Sequence, residues 1–278
     1  RVITFHINPE ARWSNGDPMT ADDYVWSWQR LLSPALGAEY AYMLFPIKNA
    51  QAFNQGKITD FGEVGVKALD KLTLQVSLNE RTPYFLQLMD HYSTFAVHRP
   101  TIEKFGNASD RYTAWTRVEN MVSNGAFRLK DWQLYRRLEV EKSDTYWDRE
   151  NVKLNGIVFH PTENSVSEER MFRVGQLHYT GSVPLGKIPV YQEMADTPYR
   201  QAPYIGTYYY LINTLQAPTD NLKVRQALSM AIDRQALSDI GYGEAGMPTC
   251  NIIPAPAAWA SPCNRINKSM TLRESAPR

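Results

Sequence analysis

The chain has 278 residues, of which 43% are hydrophobic and 21% charged, and its formal net charge is +1. This length and apolar content suffice for one large packed domain or two ordinary ones. The near balance of acidic and basic residues argues against a nucleic-acid surface, which needs a basic excess or cluster. No apolar run approaches the roughly 18 residues that a membrane helix requires. Composition therefore indicates a soluble, globular protein.

The clearest local signals lie in the first thirty or so residues. Alternating apolar positions over residues 2–8 predict a strand. The run Asn-Gly-Asp-Pro at 15–18 is typical of a tight turn, because glycine tolerates positive φ and proline fixes the exit direction. Thr20 stands where a helix N-cap belongs, and Asp22 and Asp23 place negative charge in the first turn. Apolar residues at helical spacing then predict a helix that ends before Pro34.

The rest of the chain predicts a mixture of short helices and strands. In the first half we expect short helices at 39–45 and 50–55, a hairpin of 65–69 and 72–78, short helices starting at Pro83 and Pro100, and a loop at 107–120. In the second half we expect strands at 123–132, 137–142, 154–159 and 204–213, helices at 165–174 and 188–195, a helix capped by Asp220 or Asn221, a proline-rich loop at 247–262 and a frayed tail at 264–278. There are no internal repeats.

The sequence carries no recognisable catalytic or metal-binding motif. It lacks a glycine-rich phosphate loop, a His-Glu-x-x-His zinc helix and a Gly-x-Ser-x-Gly elbow. The five histidines are scattered without metal-ligand spacing. Asp22 and Asp23 are neighbours on a helix and point in different directions, so they do not form a catalytic carboxylate pair. We expect a protein that is not an enzyme and that holds no metal or cofactor.

Two cysteines, Cys250 and Cys263, lie in and just beyond the proline-rich loop. A disulfide between them would suit an oxidising compartment, and two free thiols fit the sequence as well. No signal peptide is visible, since Arg1 opens directly onto a strand pattern. A mature or truncated chain would look the same, so this feature does not decide the compartment.

Aromatic residues are the most informative part of the composition, with 16 Tyr, 7 Trp and 10 Phe. Tyr204 and the run Tyr208 to Tyr210 lie together in the predicted strand 204–213. Alternation would send Tyr208 and Tyr210 to one face and Tyr209 to the other. A sheet packed on both sides explains these residues. A cleft that grips varied ligands explains them too, because tyrosine offers apolar area and a hydroxyl with little loss of entropy.

The order W-S-N-G-D-P-M-T-A-D-D-Y-V-W-S-W over residues 13–28 resembles the signature of extracytoplasmic peptide-binding proteins that feed ABC importers. These are the oligopeptide-, dipeptide- and murein-peptide-binding proteins. Further segments resemble the same family in the same order, roughly over residues 4–256: Phe5-His6, 65–70, 83–85, 103–106, Asn124-Gly125-Ala126, Tyr146-Trp147-Asp148, 207–210 and 224–234. Each is a weak signal alone, and together they are specific.

The resemblance implies a mixed α/β fold of the type II periplasmic binding protein class, a two-lobed clamshell with an extra small domain. On this basis we expect the small domain at 1–122, the core of the first lobe at 123–203, and the hinge with the beginning of an incomplete second lobe at 204–278. The resemblance also implies a monomer in the periplasm, or outside the membrane of a Gram-positive organism, where it delivers ligand to an ABC transporter permease.

In the family, peptide is held extended between the lobes by backbone hydrogen bonds and roomy side-chain pockets. Carried onto this chain, the cleft tyrosines fall at Tyr40, Tyr204 and Tyr209, and a polar pair falls at Gly181-Ser182. The resemblance therefore implies ligand-binding roles for Tyr40, Tyr204, Tyr209 and Ser182. The signature stretch itself is expected to be scaffold.

The chain departs from the family's pattern at both ends. It lacks the family's N-terminal region and stops early in the second lobe, so we expect a fragment. Within the same fold, the alternative ligands are a sugar, a nickel complex or an opine. From other classes, aromatic richness alone would suit a carbohydrate-active enzyme, and a truncated chain could be an interaction module without a cleft.

Overall fold

The computed structural model describes residues 1–202 and 206–242. The chain divides into two compact units, the first comprising residues 1–161 and the second beginning at Thr162. The predicted domain boundaries at 122/123 and 203/204 remain predictions. Tyr204, Cys250, Cys263, the loop 247–262 and the tail 264–278 lie outside the described residues. Within the described ranges, every helix is too short or too polar to cross a bilayer.

The first sheet of the first unit has the strand order β1-β3-β2 and is antiparallel throughout. Its strands are β1 (Val2–His6), β2 (Val66–Asp70) and β3 (Thr73–Ser77). β2 and β3 form the predicted hairpin, and the Asp70 carboxylate accepts the Leu72 amide at 2.8 Å in its turn. The alternation of β3 buries Leu74 and Val76 and leaves the intervening residues half-buried, so one face of the sheet covers the core.

Helix α1 (Ala21–Leu32) packs on that face and begins where the sequence predicts. Thr20 is the N-cap, and its amide donates to the Asp23 carboxylate at 2.7 Å. This contact satisfies one of the amides that a helix start leaves unpaired. The core around α1 and the sheet consists of buried apolar residues from the whole N-terminal part of the unit: Ala21, Trp28, Leu32, Ala41, Leu44, Ile47, Ala50, Phe53, Phe61, Val64, Val66, Leu74, Val76, Leu78 and Phe85.

Short helices connect these elements and account for most of the remaining predictions. They are α2 (Ala50–Asn54), α3 (Phe85–Leu88) and α4 (Arg99–Lys104), with 3₁₀ turns at Ala41–Leu44, Phe61–Glu63, Tyr92–Thr94 and Ala114–Thr116. The helix predicted at 39–45 is therefore only a 3₁₀ turn. Pro100 lies in the first turn of α4, where a missing amide hydrogen costs nothing.

The second sheet of the first unit is the antiparallel meander β4-β5-β6. It comprises β4 (Phe127–Gln133), β5 (Arg137–Lys142) and β6 (Gly156–Phe159). Asp131 accepts from both Nε and Nη2 of Arg137, at 3.0 and 2.9 Å. This contact, more than any other, lowers the pKa of the Asp131 carboxyl below its ordinary value. The three strands agree with the sequence patterns, apart from later starts for β4 and β6.

The regular elements in the described part of the second unit are helices. It contains α5 (Ser165–Arg173), α6 (Ile188–Gln192), α7 (Leu222–Met230) and α8 (Arg234–Tyr242). Asn164 caps α5, and Asn221 caps α7 as the sequence predicts. Arg234 donates to the Ser229 carbonyl at 3.0 Å, so it satisfies an unpaired acceptor at the end of α7. Arg234 also opens α8, a helix that the sequence patterns did not reveal.

The predicted strand at 204–213 is wrong for the residues that can be described. Residues 206–213 have no regular secondary structure, although their composition is aromatic and apolar. A strand is stabilised by backbone hydrogen bonds to a neighbouring strand. Within residues 1–202 and 206–242, all named strand pairs belong to the two sheets of the first unit. Residues 206–213 therefore pair with no strand in the described part of the chain, and their aromatic composition alone does not make them a strand.

Candidate functional site: an aromatic cluster and a polar loop

The signature stretch 13–28 is a scaffold that fixes the segment running from Thr94 to Thr101. The Trp28 indole donates from Nε1 to the Thr94 carbonyl at 2.8 Å. One residue earlier on α1, the Ser27 hydroxyl accepts the Val97 amide at 2.9 Å. Trp28 and Ser27 are both buried, so these bonds form in a low-dielectric setting where they are strong. Trp28 and Ser27 of the signature are thus structural residues that hold this segment against α1.

The turn in the signature fixes the same segment from a second side, through His98. This histidine is buried, with Nε2 lying 3.3 Å from Asp17 Oδ2. Its Nδ1 lies 2.7 Å from the Thr101 hydroxyl, and the Trp13 ring packs on it at 5.0 Å between centroids. Both ring nitrogens are therefore occupied, which fixes the orientation of the imidazole. His98 is accounted for as a structural residue.

The scaffold presents an aromatic cluster, which we define as Tyr40, Tyr42, His91 and Tyr92. Tyr40 is central: its ring centroid lies 4.7 Å from His91, 5.8 Å from Tyr92 and 5.9 Å from Tyr42. His91 and Tyr92 stack on each other at 4.3 Å. Tyr40 is 37% exposed and Tyr92 65% exposed, so the cluster offers ring surface and hydroxyls to solvent. Packing fixes the rings without burying them.

The polar atoms of the cluster are also fixed. His91 Nδ1 accepts the Ser93 amide at 3.3 Å and lies 2.7 Å from the Ser93 hydroxyl, so Nε2 is the ring nitrogen that is left to donate. Desolvation raises the pKa of the Tyr92 hydroxyl above its ordinary value, and a hydrogen bond with Tyr40 and the nearby Glu39 carboxylate raise it further. The Tyr92 phenol is consequently neutral at physiological pH and can donate or accept.

A continuous chain of contacts joins the signature to this cluster. The Thr94 carbonyl accepts from Trp28, and the Thr94 hydroxyl donates to the His91 carbonyl at 2.8 Å. The 3₁₀ turn at Tyr92–Thr94 is therefore attached to α1 on one side and carries the cluster on the other. The position of the cluster depends on the core of the first unit.

In the second unit, Ser182 lies in a polar loop that helix α5 holds in place. Glu168 Oε1 accepts the Gly181 amide at 3.0 Å, and its other oxygen lies 3.5 Å from the Ser182 hydroxyl. The next residue of α5, Glu169, is only 5% exposed. It accepts the Tyr191 hydroxyl at 2.8 Å and lies 3.2 Å from Arg173 Nε. Burial and this hydrogen bond raise the pKa of Tyr191 above its ordinary value.

Glu169 therefore joins α5 to α6, while Glu168 fixes the exposed loop at 181–182. A buried carboxylate is tolerated when it is both paired and hydrogen-bonded, as Glu169 is. The two adjacent carboxylates have different purposes because successive helix positions point in different directions. The loop that carries Ser182 is thus held by a helix that is itself fixed by packing and hydrogen bonds.

Tyr209 lies in the irregular segment 206–213 and is 54% exposed. Tyr208 and Tyr210 contact each other edge to face, with ring centroids 5.8 Å apart. These two rings share a side, as the alternation predicts, although no strand forms.

The predicted site residues are distributed over both units. Tyr40 belongs to the first unit, whereas Ser182 and Tyr209 belong to the second, and Tyr204 lies outside the described residues. Sequence reasoning missed His91, Tyr92 and Glu168. The aromatic pair His91-Tyr92 is evident in the sequence, but no sequence pattern indicates that it lies beside Tyr40. Over residues 1–202 and 206–242, no group of three His, Cys, Asp or Glu side chains is placed to hold a metal.

Comparison with known proteins places these features in context. The family model described as bacterial extracellular solute-binding proteins, family 5 Middle, matches residues 1–269. The periplasmic oligopeptide-binding protein OppA of Escherichia coli K12 is 36% identical over 259 residues, which cover 91% of this chain and 46% of OppA. The chain thus spans about half the length of the curated relatives it matches.

Solved structures agree with the sequence match. The murein tripeptide binding protein MppA of Escherichia coli superposes with a TM-score of 0.90 at 31% identity, covering 99% of this chain and 53% of MppA. Haemophilus influenzae OppA, solved in complex with RPPGFSPFR, gives a TM-score of 0.84 at 32% identity, covering 91% of this chain and 49% of that protein. The mixed α/β fold expected from the sequence is confirmed. The chain belongs to family 5 of the bacterial extracellular solute-binding proteins.

Proposed function

We propose that the protein is the solute-binding component of an ABC importer, which captures peptides outside the cytoplasmic membrane and delivers them to a membrane permease. The ligands are oligopeptides or murein peptides, and the compartment is the periplasm or its Gram-positive equivalent. The observation that carries the proposal is the match, over 91% of this chain, to an OppA solved in complex with RPPGFSPFR.

The aromatic cluster has the chemistry that such a ligand needs. An extended peptide offers backbone amides and carbonyls at every residue and side chains of any type. Neutral phenols can donate to a carbonyl or accept from an amide, and their ring faces pack against varied side chains. We therefore assign Tyr40 to the ligand side of the first unit, with Tyr92 as its neighbour. In the second unit we assign Tyr204, Tyr209 and Ser182.

The proposal includes the absence of catalysis. Three described titratable side chains already have structural partners: His98 holds the signature turn, Glu169 holds Tyr191, and Glu168 holds the loop at 181–182. A turnover mechanism needs a free acid, base or nucleophile close to the ligand. The assigned tyrosines and the serine supply hydrogen bonds and apolar area, which is what reversible binding requires.

We expect peptides to raise the melting temperature of the full-length protein, because a ligand that binds only the native state stabilises it. At 100 times the dissociation constant the stabilisation is about 2.7 kcal/mol, a shift of several degrees. The measurement is a thermal-shift titration with tripeptides to pentapeptides and murein peptides. Free amino acids, sugars and nickel complexes serve as controls.

A shift with sugars or a nickel complex and none with any peptide would contradict the peptide assignment. Mass spectrometry of the peptides after prolonged incubation with the protein tests the absence of catalysis. We expect the peptides to be recovered intact, and cleavage products that accumulate with time would overturn that part of the proposal.

A further inference from the structure

The aromatic cluster of the first unit has a ring surface that a ligand can reach. Tyr40, Tyr42 and Tyr92 are 37%, 52% and 65% exposed. The rings of Tyr40 and Tyr92 meet at 75°, and those of Tyr40 and Tyr42 at 39°. Rings that face different directions form the walls of a shallow corner instead of one flat plate. The cluster therefore suits a side chain that is long enough to touch more than one ring.

The two segments that build the cluster carry negative charge and no positive charge. Residues 38–47 contain Glu39 and no Lys or Arg, and residues 82–98 contain Asp90 and no Lys or Arg. Both acidic residues are exposed. Within the part of the chain that the structure describes, neither carboxylate takes part in an ion pair. Neither charge is therefore neutralised by a described neighbour.

Glu39 lies beside the cluster. It precedes Tyr40 in the chain, and its carboxylate is close enough to Tyr92 to raise the pKa of that phenol, although desolvation and the hydrogen bond with Tyr40 raise it more. Arg111 also approaches this segment, but its Nη2 donates to the Gly37 carbonyl. An aromatic surface beside an unpaired carboxylate attracts cations, because the ring quadrupole and the carboxylate both favour positive charge.

We propose that the aromatic cluster and Glu39 together select peptides that carry a lysine or arginine side chain at the residue lying on the cluster. The methylene stem packs against the rings of Tyr40 and Tyr92, and the charged head lies near the Glu39 carboxylate. Long cationic side chains pack in this way because their stems are apolar and their heads are polar. The inference deepens the proposed function and rests on it, since it concerns the peptide-binding role assigned to Tyr40.

The other classes of peptide group match this surface less well. An acidic side chain would be repelled by Glu39. An apolar side chain gains the ring contacts but makes no use of the carboxylate. The amino terminus of a peptide is also a cation, but it has no methylene stem to cover the rings. A lysine or arginine side chain combines both contacts.

The test is calorimetric titration of the full-length protein with alanine tetrapeptides in which one position carries lysine, norleucine or glutamate. Norleucine has the same stem as lysine and lacks the ammonium group. Every peptide has the same free amino terminus, so differences at one position report the charge of the side chain. At one position we expect lysine to bind about 5- to 30-fold more tightly than norleucine, from one cation–π contact and one exposed ion pair. Glutamate should bind more weakly than norleucine there.

Two variants assign this preference to the cluster. Glu39→Gln removes the charge of an exposed side chain and should reduce the ratio of lysine to norleucine affinity by about 2- to 5-fold. Tyr92→Leu keeps apolar area and removes the ring quadrupole, and it should reduce the same ratio by about 2- to 5-fold. A smaller ratio in either variant supports the assignment.

The matched control is Glu10→Gln, which removes another exposed carboxylate from the first unit. Glu10 follows the end of β1 that pairs with the start of β3, whereas the cluster segment 38–47 reaches the other end of β3 through the bridge between Ile47 and Leu78. We expect this control to leave the ratio unchanged.

The outcomes separate this inference from the proposed function. Equal affinities for lysine and norleucine at every position would overturn the inference and leave the peptide-binding function intact. A lysine preference that both Glu39→Gln and Tyr92→Leu leave unchanged would also overturn it, because the preference would then arise elsewhere. If no peptide binds, the proposed function fails and the inference fails with it. Glu39→Gln decides the matter should Tyr92→Leu fail to fold.

Discussion

Replacing Trp28 with alanine is expected to destabilise the first unit by about 4 kcal/mol, near the middle of the range for large core aromatics. The Trp28 side chain is almost fully buried in the main core. Its removal leaves a large cavity, and it also leaves the Thr94 carbonyl without the indole donor that lies 2.8 Å away. Both effects act in the same direction, so this is the largest stability loss that we expect from one substitution.

Urea unfolding followed by circular dichroism measures this loss. The matched control is Trp26→Ala, on the same helix, where the side chain is only partly buried and contacts Arg99 at 5.8 Å. We expect the control to lose about 1 kcal/mol or less from that cation–π contact. Similar losses for the two variants would contradict the account of α1, because they would mean that Trp28 packs no better than its partly buried neighbour Trp26.

Replacing Tyr40 with alanine is expected to weaken peptide binding by the full-length protein by about 10- to 100-fold, as for a central aromatic contact residue. The ring occupies the centre of the aromatic cluster, within 6 Å of three other rings. Its loss removes direct contact area and also frees Tyr92 and His91 to rotate. Tyr40→Phe separates these causes, since it retains the ring packing and removes only the hydroxyl.

Calorimetric titration with one peptide gives the affinities of all variants. The matched control is Tyr135→Ala, which removes an exposed tyrosine from the turn between β4 and β5 in the same unit. We expect its affinity to equal that of the wild type. An unchanged affinity for Tyr40→Ala would remove Tyr40 from the ligand site, whereas an unchanged affinity for Tyr40→Phe would show only that the hydroxyl is dispensable.

The parts of the fold that the sequence predicts well are those determined by short-range chemistry. Helix α1 begins at its predicted cap because Thr20 and Asp23 are three residues apart and interact with each other. The hairpin of β2 and β3 likewise depends on a turn of adjacent residues. The helix predicted at 39–45 became a 3₁₀ turn, and the strand at 204–213 did not form over 206–213. In both segments the prediction depended on aromatic and apolar composition, which does not reveal what the segment packs against.

The candidate site is harder to predict because it is built from distant parts of the chain. The role of Tyr40 was predicted from family resemblance, but its contacts with His91 and Tyr92 join segments that are about fifty positions apart. Periodicity reports which face of one element is apolar and gives no information on which element lies beside it. The buried carboxylate of Glu169 was missed for the same reason, since its partner Tyr191 lies on another helix.

The side chains of the signature stretch fix a tertiary arrangement, and we propose that ligand chemistry lies on the segment that they hold.

Native mass spectrometry of the full-length protein, purified without added ligand, tests the central claim most directly. Proteins that enclose their ligand often retain it through gentle purification, so we expect a mass excess over the polypeptide. On collisional release, fragmentation of the ligand should give a peptide or murein-peptide ladder. A released ligand that contains no amino acids, or a ligand-free protein that binds no member of a mixed peptide pool, would contradict the account.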